Sequence, residues 1–388
     1  MSPSGAQAAR PGTLATSDLL ELTAALVDVP SVSFEERALA DLLEAELRAL
    51  PVLEVTRVGD NVVARTRGGR PERLVLAGHT DTVPAQRNDR ATIEGDRLHG
   101  LGASDMKGAL AVFLQLARTL GEPPIDVTFV FYAREEVAAM HSGLEELFVA
   151  RPDLLAGDAA ILGEPTSSVV EAGCQGTLRL RVTLRGVRAH TARPWMGRNA
   201  IHRLAPVLRA VADHVSRQPV IDGLQFREAL QAVSVQGGVA GNVVPDEATL
   251  VLNVRFAPDR RSSDAAEAAR EVLRPYLDDG DEVALVDAAE AAAPAVGHPL
   301  LAPLVNELGL AVNPKLGWTD VARFTSRGVP AVNVGPGAPT LAHTADEHVD
   351  RADLQRSFDV LHHLVHRSIS GPASTSLEGG SLTADAAR

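Results

Sequence analysis

The chain has 388 residues, beyond the ~250–300 at which one core usually divides, so two domains are expected. Its net charge of −13 excludes a general nucleic-acid binder, which needs a basic face, and leaves any anionic substrate to be met by locally placed cations. The one cysteine, Cys174, excludes an intrachain disulfide and a cysteine-built zinc site, so any metal must be held by His, Asp and Glu. A single thiol also fits a reducing cytoplasm. The N-terminal stretch lacks the apolar centre of a signal peptide, and no apolar run reaches the ~18–20 residues of a membrane span. A cytoplasmic protein with no membrane or nucleic-acid partner is expected.

In chain order, residues 1–16 and 372–388 are small and polar and read as disordered tails. "SDLLELTAALVDV" reads as a helix capped by Ser17 or Asp18, and "FEERALADLLEAELRAL" as a second. "EVTRVGDNVVART" reads as two strands about a Gly-Asp turn, and "RLVLAGHTD" as a buried strand. "SDMKGALAVFLQLARTL" reads as a helix opened by Ser104 or Asp105. "IDVTFVFYAREE" and "DAAILGEPT" read as strands ending in acids, with a short helix, "SGLEELFVA", between them. Strands alternating with helices predict a largely parallel sheet covered on both faces. The fold class is therefore α/β, a three-layer α/β/α domain over 17–176 that resumes at 294–371.

The pattern changes between these two parts. "TLRLRVTLRG" alternates like a strand with one solvated face, and the order through "DEVALVDAA" is β-α-β-β-α-β. A ferredoxin-like domain inserted over 177–293 is expected. The first domain resumes with a helix, "PLLAPLVNELG", a strand, "PAVNVGPG", and a long helix from Asp353.

Ligands of open α/β sheets bind beyond the carboxyl ends of the strands. His79 and Asp81 stand at one such end, Glu135 and Glu136 at another, and Glu164 at a third. The glycine-flanked Asp105 and a late His343 join the set. Each signal alone has an ordinary reading: a capping pair, a solvated helix start, an N-cap, a turn before proline. Together they form a set of His and carboxylate ligands without thiolate, which suits Zn²⁺ or a similar ion. Five ligands exceed one tetrahedral catalytic zinc and suit two metals bridged by a carboxylate. One acid must then stay free to take a proton from water, and Glu135 and Glu136 could divide those tasks.

"GHTDTVP", "GLGASDMKGAL", the Glu-Glu pair, "GEPT", "RGVRAHTARPWMGRNAI", "GNVVPDEATLVLNVRFAP" and "LAHTADEHV" together resemble the M20 family of metallopeptidases and deacylases, from about residue 20 to 367. The resemblance implies two Zn²⁺ per subunit, with Co²⁺ able to substitute. It implies that His79 and Glu164 hold one metal, Glu136 and His343 the other, and that Asp105 bridges them, with a cis peptide to Met106. Asp81 would orient His79, Glu135 would be the general base, and His190 would stabilise the oxyanion in the partner subunit of a homodimer formed through the inserted domain. Asn242, Arg255 and Thr319 would contact an N-acyl amino acid substrate. Within the family the likeness is greatest to members that hydrolyse N-succinyl-LL-2,6-diaminopimelate, in lysine and diaminopimelate synthesis. Deacetylation of acetylornithine, aminoacylase or dipeptidase activity, and a non-catalytic metal-binding role are the alternatives.

Three positions depart from the family pattern: Arg134 where an acid often precedes the Glu-Glu pair, Leu101 where the glycine loop often has arginine, and Cys174-Gln175 where proteobacterial members carry two arginines. The cation that receives a succinyl carboxylate is therefore open among Arg179, Arg181, Arg193 and Arg323. Cys174 reads as structural, Trp318 as pocket wall or core, and His348, His362, His363 and His366 as surface or packing residues.

Overall fold

The computed structural model describes residues 14 and 16–367. The expected tails lie outside the described residues except at Leu14 and Thr16, and Leu14 is buried, its carbonyl held by Arg118 Nη2 at 2.7 Å. Sixteen residues is thus too long for the first tail.

An eight-stranded sheet forms the base, in the order Leu53–Val58, Asn61–Thr66, Asp126–Tyr132, Arg73–His79, Ala159–Leu162, Ala331–Asn333, Val170–Ala172, Val312–Pro314. Its middle strands Asp126–Tyr132, Arg73–His79, Ala159–Leu162 and Ala331–Asn333 are parallel to one another. Asn61–Thr66 and Val170–Ala172 join antiparallel on either side. Alternation along each strand feeds two cores. Leu74, Leu76, Phe129, Phe131 and Ile161 face the helices Leu19–Val27, Arg37–Arg48, Gly108–Thr119 and Arg351–His366. Val75, Ala77, Val130, Tyr132 and Leu162 face Gly143–Ala150 and Val321–Thr325. Strands covered on both sides read as near-continuous apolar runs, which is what "DVTFVFY" is.

The segment between the two halves forms a separate four-stranded antiparallel sheet, ordered Ala229–Gly237, Glu247–Phe256, Gly176–Arg185, Glu282–Ala289. Leu178, Leu180, Val182 and Leu184 pack with helices Ala200–Ala212 and Ser262–Leu273, while Arg179 and Arg181, on the opposite face, are exposed. This is the β-α-β-β-α-β order expected.

The structure corrects the sequence at three elements. The helix expected from Ser104 begins as an α-helix only at Gly108; Asp105 (φ −123°, ψ 90°) and Met106 sit in a non-helical kink with a cis bond between them. "PLLAPLVNELG" gives a helix of only four residues, Pro303–Asn306, because Pro303 has no N–H to donate back and so can only begin it. A three-stranded sheet of Thr92–Glu94, Arg97–His99 and His348–Asp350 was not expected, since three-residue strands show no measurable period. Among the described residues no helix is long and apolar enough to cross a membrane.

Candidate metal centre and active site

The parallel strands end under a cluster of His and acids. His79 closes its strand, buried, with Nε2 at 3.1 Å from Asp105 Oδ1. Asp105 Oδ2 lies at 3.6 Å from His343 Nε2, whose nearer partner is Glu136 Oε1 at 2.7 Å. One carboxylate thus faces two imidazoles, and His79, Asp105 and Glu136 offer donor atoms all within 4.8 Å of one another. The end at His79 is closed, whereas the His343 side chain is 49% exposed, so the cluster opens to solvent on that side.

Asp81 does more than the two-residue spacing foretold. Its main-chain carbonyl lies 3.0 Å from His79 Nδ1 and fixes the ring, while its carboxylate is 3.7 Å away. That carboxylate accepts from Glu135 N at 2.9 Å, Glu136 N at 3.1 Å and Ser33 Oγ at 2.8 Å. The Glu-Glu pair lies in a loop beyond the strand Asp126–Tyr132, not at its end, and Asp81 is what holds it.

The electrostatics are those of acids crowded out of water. Burial pushes the Glu135 acid well above the usual range; His79 opposes this, and Asp320, Glu164 and Glu136 add to it. Burial and then the field of Asp105 push Glu164 up to about 7. Burial lifts Glu136 as well. For His79 burial disfavours the cation, but Asp105, Asp81 and Glu135 outweigh it and hold the imidazolium well above its ordinary value. One Glu164 oxygen, Oε1, is buried without a hydrogen-bond partner. A divalent cation would occupy that oxygen and relieve the repulsion among the acids, so the residues present fit bound metal.

The family model described as Peptidase family M20/M25/M40 matches residues 75–367. The chain belongs to this family. DapE of Mycobacterium tuberculosis, named for succinyl-diaminopimelate desuccinylase, is 49% identical over 347 residues, which are 89% of this chain and 97% of that protein. The succinyl-diaminopimelate desuccinylase of Corynebacterium glutamicum is 44% identical over 344 residues, 87% of this chain and 93% of that protein. A Staphylococcus aureus tripeptidase crystal structure, 21% identical, shares the fold with a TM-score of 0.74 over 90% of this chain and 97% of its own.

Other expected site residues of this M20 chain share no hydrogen bond with the cluster. His190 and Asn242 are neighbours on the inserted part: His190 pairs with Val243, and Thr191 N donates to Asn242 O at 3.0 Å. Both are exposed, and neither shares a hydrogen bond with the cluster. Arg255 is half-buried on the strand Glu247–Phe256. Thr319 is buried, its hydroxyl directed to Asn333 Oδ1 at 3.3 Å. Arg134 turns its guanidinium to Glu146, 2.6 Å away, and not to Glu135. Cys174 is buried, and burial pushes its thiol up to about 11, which makes it inert. Trp318 packs against the core and donates from Nε1 to Glu290 O at 3.1 Å. His362 and His366 stack on each other with ring centres 4.1 Å apart, and His363 pairs with Glu307, outside the cluster.

Three residues of the centre were not singled out from sequence. Glu347 is buried and accepts from Gly102 N (3.0 Å), Ser104 N (3.0 Å) and Asp105 N (2.9 Å), so it ties the Asp105 loop to the His343 loop. Asp320, next to Thr319, holds Arg323 Nε at 2.6 Å and adds its charge behind Glu135. Lys315 brings a cation among the acids. The signals were an acid four residues after His343, and an acid three residues before an arginine at a helix start, patterns common on any surface.

Proposed function

We propose that the chain is a two-metal amidohydrolase that hydrolyses N-succinyl-LL-2,6-diaminopimelate to succinate and LL-2,6-diaminopimelate, as a cytoplasmic enzyme of lysine and diaminopimelate synthesis. The observation that carries the reaction class is the Asp105 carboxylate facing both His79 and His343, with an unligated acid, Glu135, beside them. The names and high identity of the two desuccinylase relatives support the substrate.

In this reading His79, Glu164 and Asp105 would hold one Zn²⁺, and Glu136, His343 and Asp105 the other. Co²⁺ would suit the same ligands. The bound cations supply Lewis acidity toward the amide carbonyl and lower the pKa of water. Glu135 takes the proton of the attacking water and returns it to the departing amine. Its backbone, anchored by the Asp81 carboxylate, suits a group that must hold one position while it does both. The inserted part, about 177–293, serves as lid and homodimer surface. From it His190 reaches the partner's site to donate to the oxyanion, with Asn242, Arg255 and Thr319 around the substrate.

Purified protein should turn over N-succinyl-LL-2,6-diaminopimelate with a higher kcat/KM than N-acetylornithine when the two are assayed side by side. Equal or better turnover of the acetylated compound would place the chain among the acetylornithine deacetylases or aminoacylases of the same family instead.

A further inference from the structure

We propose that Lys315 sets the acyl specificity of this active site, its ammonium receiving the carboxylate at the far end of a dicarboxylic acyl group. This rests on the amidohydrolase reading above and names the group that reads the substrate's second charge.

Lys315 follows the strand Val312–Pro314, which runs parallel to Val170–Ala172 and sets Asn313 against Glu171. Its Nζ lies 2.6 Å from Glu171 Oε2, and the two side chains are only 12% and 16% exposed. An ammonium carries three N–H donors, and among the described residues this one is given a single acceptor. Glu171 pairs with Asn333, and Asn333 with Leu162, two residues before Glu164, so the ion pair lies two strands from that acid, and the field of the ammonium reaches Glu164 and Asp105.

A second, independent feature lies next to it. Gln175 is 1% exposed, its backbone N donates to Lys315 O at 3.1 Å, and its side-chain Nε2 is buried with no acceptor. A buried N–H without a partner costs free energy, which an oxygen brought by a ligand would recover. A cation with spare donors and an unpartnered amide N–H, on residues joined through their backbones, are groups suited to a carboxylate.

Of the arginines that might compete, all but Arg255, which stands opposite Thr177 and is assigned above to the rest of the substrate, are committed or exposed. Arg323 is held by Asp320 and Glu145, Arg179 by Asp287, and Arg181 and Arg193 are exposed on the inserted part. Arg255 lies on the inserted sheet in the field of Arg179. Lys315 is a half-satisfied buried cation in reach of the acids of the centre, and an acetyl group would leave it nothing to bind.

The test compares N-succinyl- and N-acetyl-LL-2,6-diaminopimelate on metal-loaded wild type, K315M, K315R and the double variant E171Q/K315M, which removes the buried glutamate that K315M alone would leave unpaired. K315M should lose about 30- to 100-fold in kcat/KM on the succinyl substrate, mainly through KM, and less than about 3-fold on the acetyl one. K315R should recover most of the loss, and the double variant should behave as K315M; if K315M does not fold, the double variant decides. A wild type that prefers the succinyl substrate, with equal losses on both substrates in the lysine variants, overturns the subsite alone. A wild type that prefers the acetyl substrate overturns the desuccinylase reading and the subsite with it.

Discussion

Glu135 is held with its acid well above the usual range by burial and by the acids behind it, and a charge so placed weakens the fold. Replacing it with Gln keeps the shape and removes both the base and the buried charge. E135Q should lower kcat by about 10²- to 10⁴-fold with metal content retained, and thermal melting should show a metal-free protein at least as stable as wild type at pH 8. Burial lifts the Glu347 acid too, but three backbone N–H groups of the Asp105 loop end on it and oppose the shift. E347A should cost on the order of 3 kcal/mol in urea unfolding and weaken metal binding in a chelator competition, because the orphaned N–H groups turn to other acceptors and take Asp105 with them. The roles of such residues were only half legible in sequence. That His79 and Asp81 share a face follows from their spacing. That the Asp81 carboxylate serves Glu135 and Glu136, more than fifty residues away, follows from the fold.

The strand Arg73–His79 passes directly under the kink that carries Asp105. A Cβ on Gly78 would stand 2.7 Å from Met106 Cε and 2.8 Å from Leu110 Cδ2, so a methyl there requires the ends of those two side chains to shift. G78A should destabilise by about 1–3 kcal/mol and, by pushing Met106, weaken metal binding. Adding M106A should recover part of both losses, a coupling that a double-mutant cycle would measure. Elements of this kind were largely readable. The long strands announce themselves by unbroken apolar runs, and the helices by their period. What stayed hidden were the three-residue strands Val170–Ala172 and Val312–Pro314, too short for periodicity, although Glu171 and Lys315 meet only because these strands pair.

For the whole molecule, the buried acids gathered at the rim of the larger sheet make stability a matter of protonation, and bound metal would offset their charge. Burial lifts Glu164 from its ordinary 4.5 to about 7, so the folded chain keeps a proton that the unfolded chain has already released. Stability from this group is present at low pH and is lost as pH rises through about 7. The raised His79 imidazolium, once its proton leaves, moves stability in the same direction. Metal-free protein should therefore melt at a higher temperature at pH 5.5 than at pH 8, whereas metal-loaded protein, which needs the ionised acids, should gain stability as pH rises over that interval. Melting curves with and without a chelator check this directly. The most direct test of the account is to strip the protein of metal, add Zn²⁺ back in steps, and measure bound metal and hydrolysis of N-succinyl-LL-2,6-diaminopimelate together. The stripped protein should show no turnover, and activity should rise to a plateau at about two ions per chain, as two bridged sites require. Full turnover by protein holding no divalent ion would contradict it.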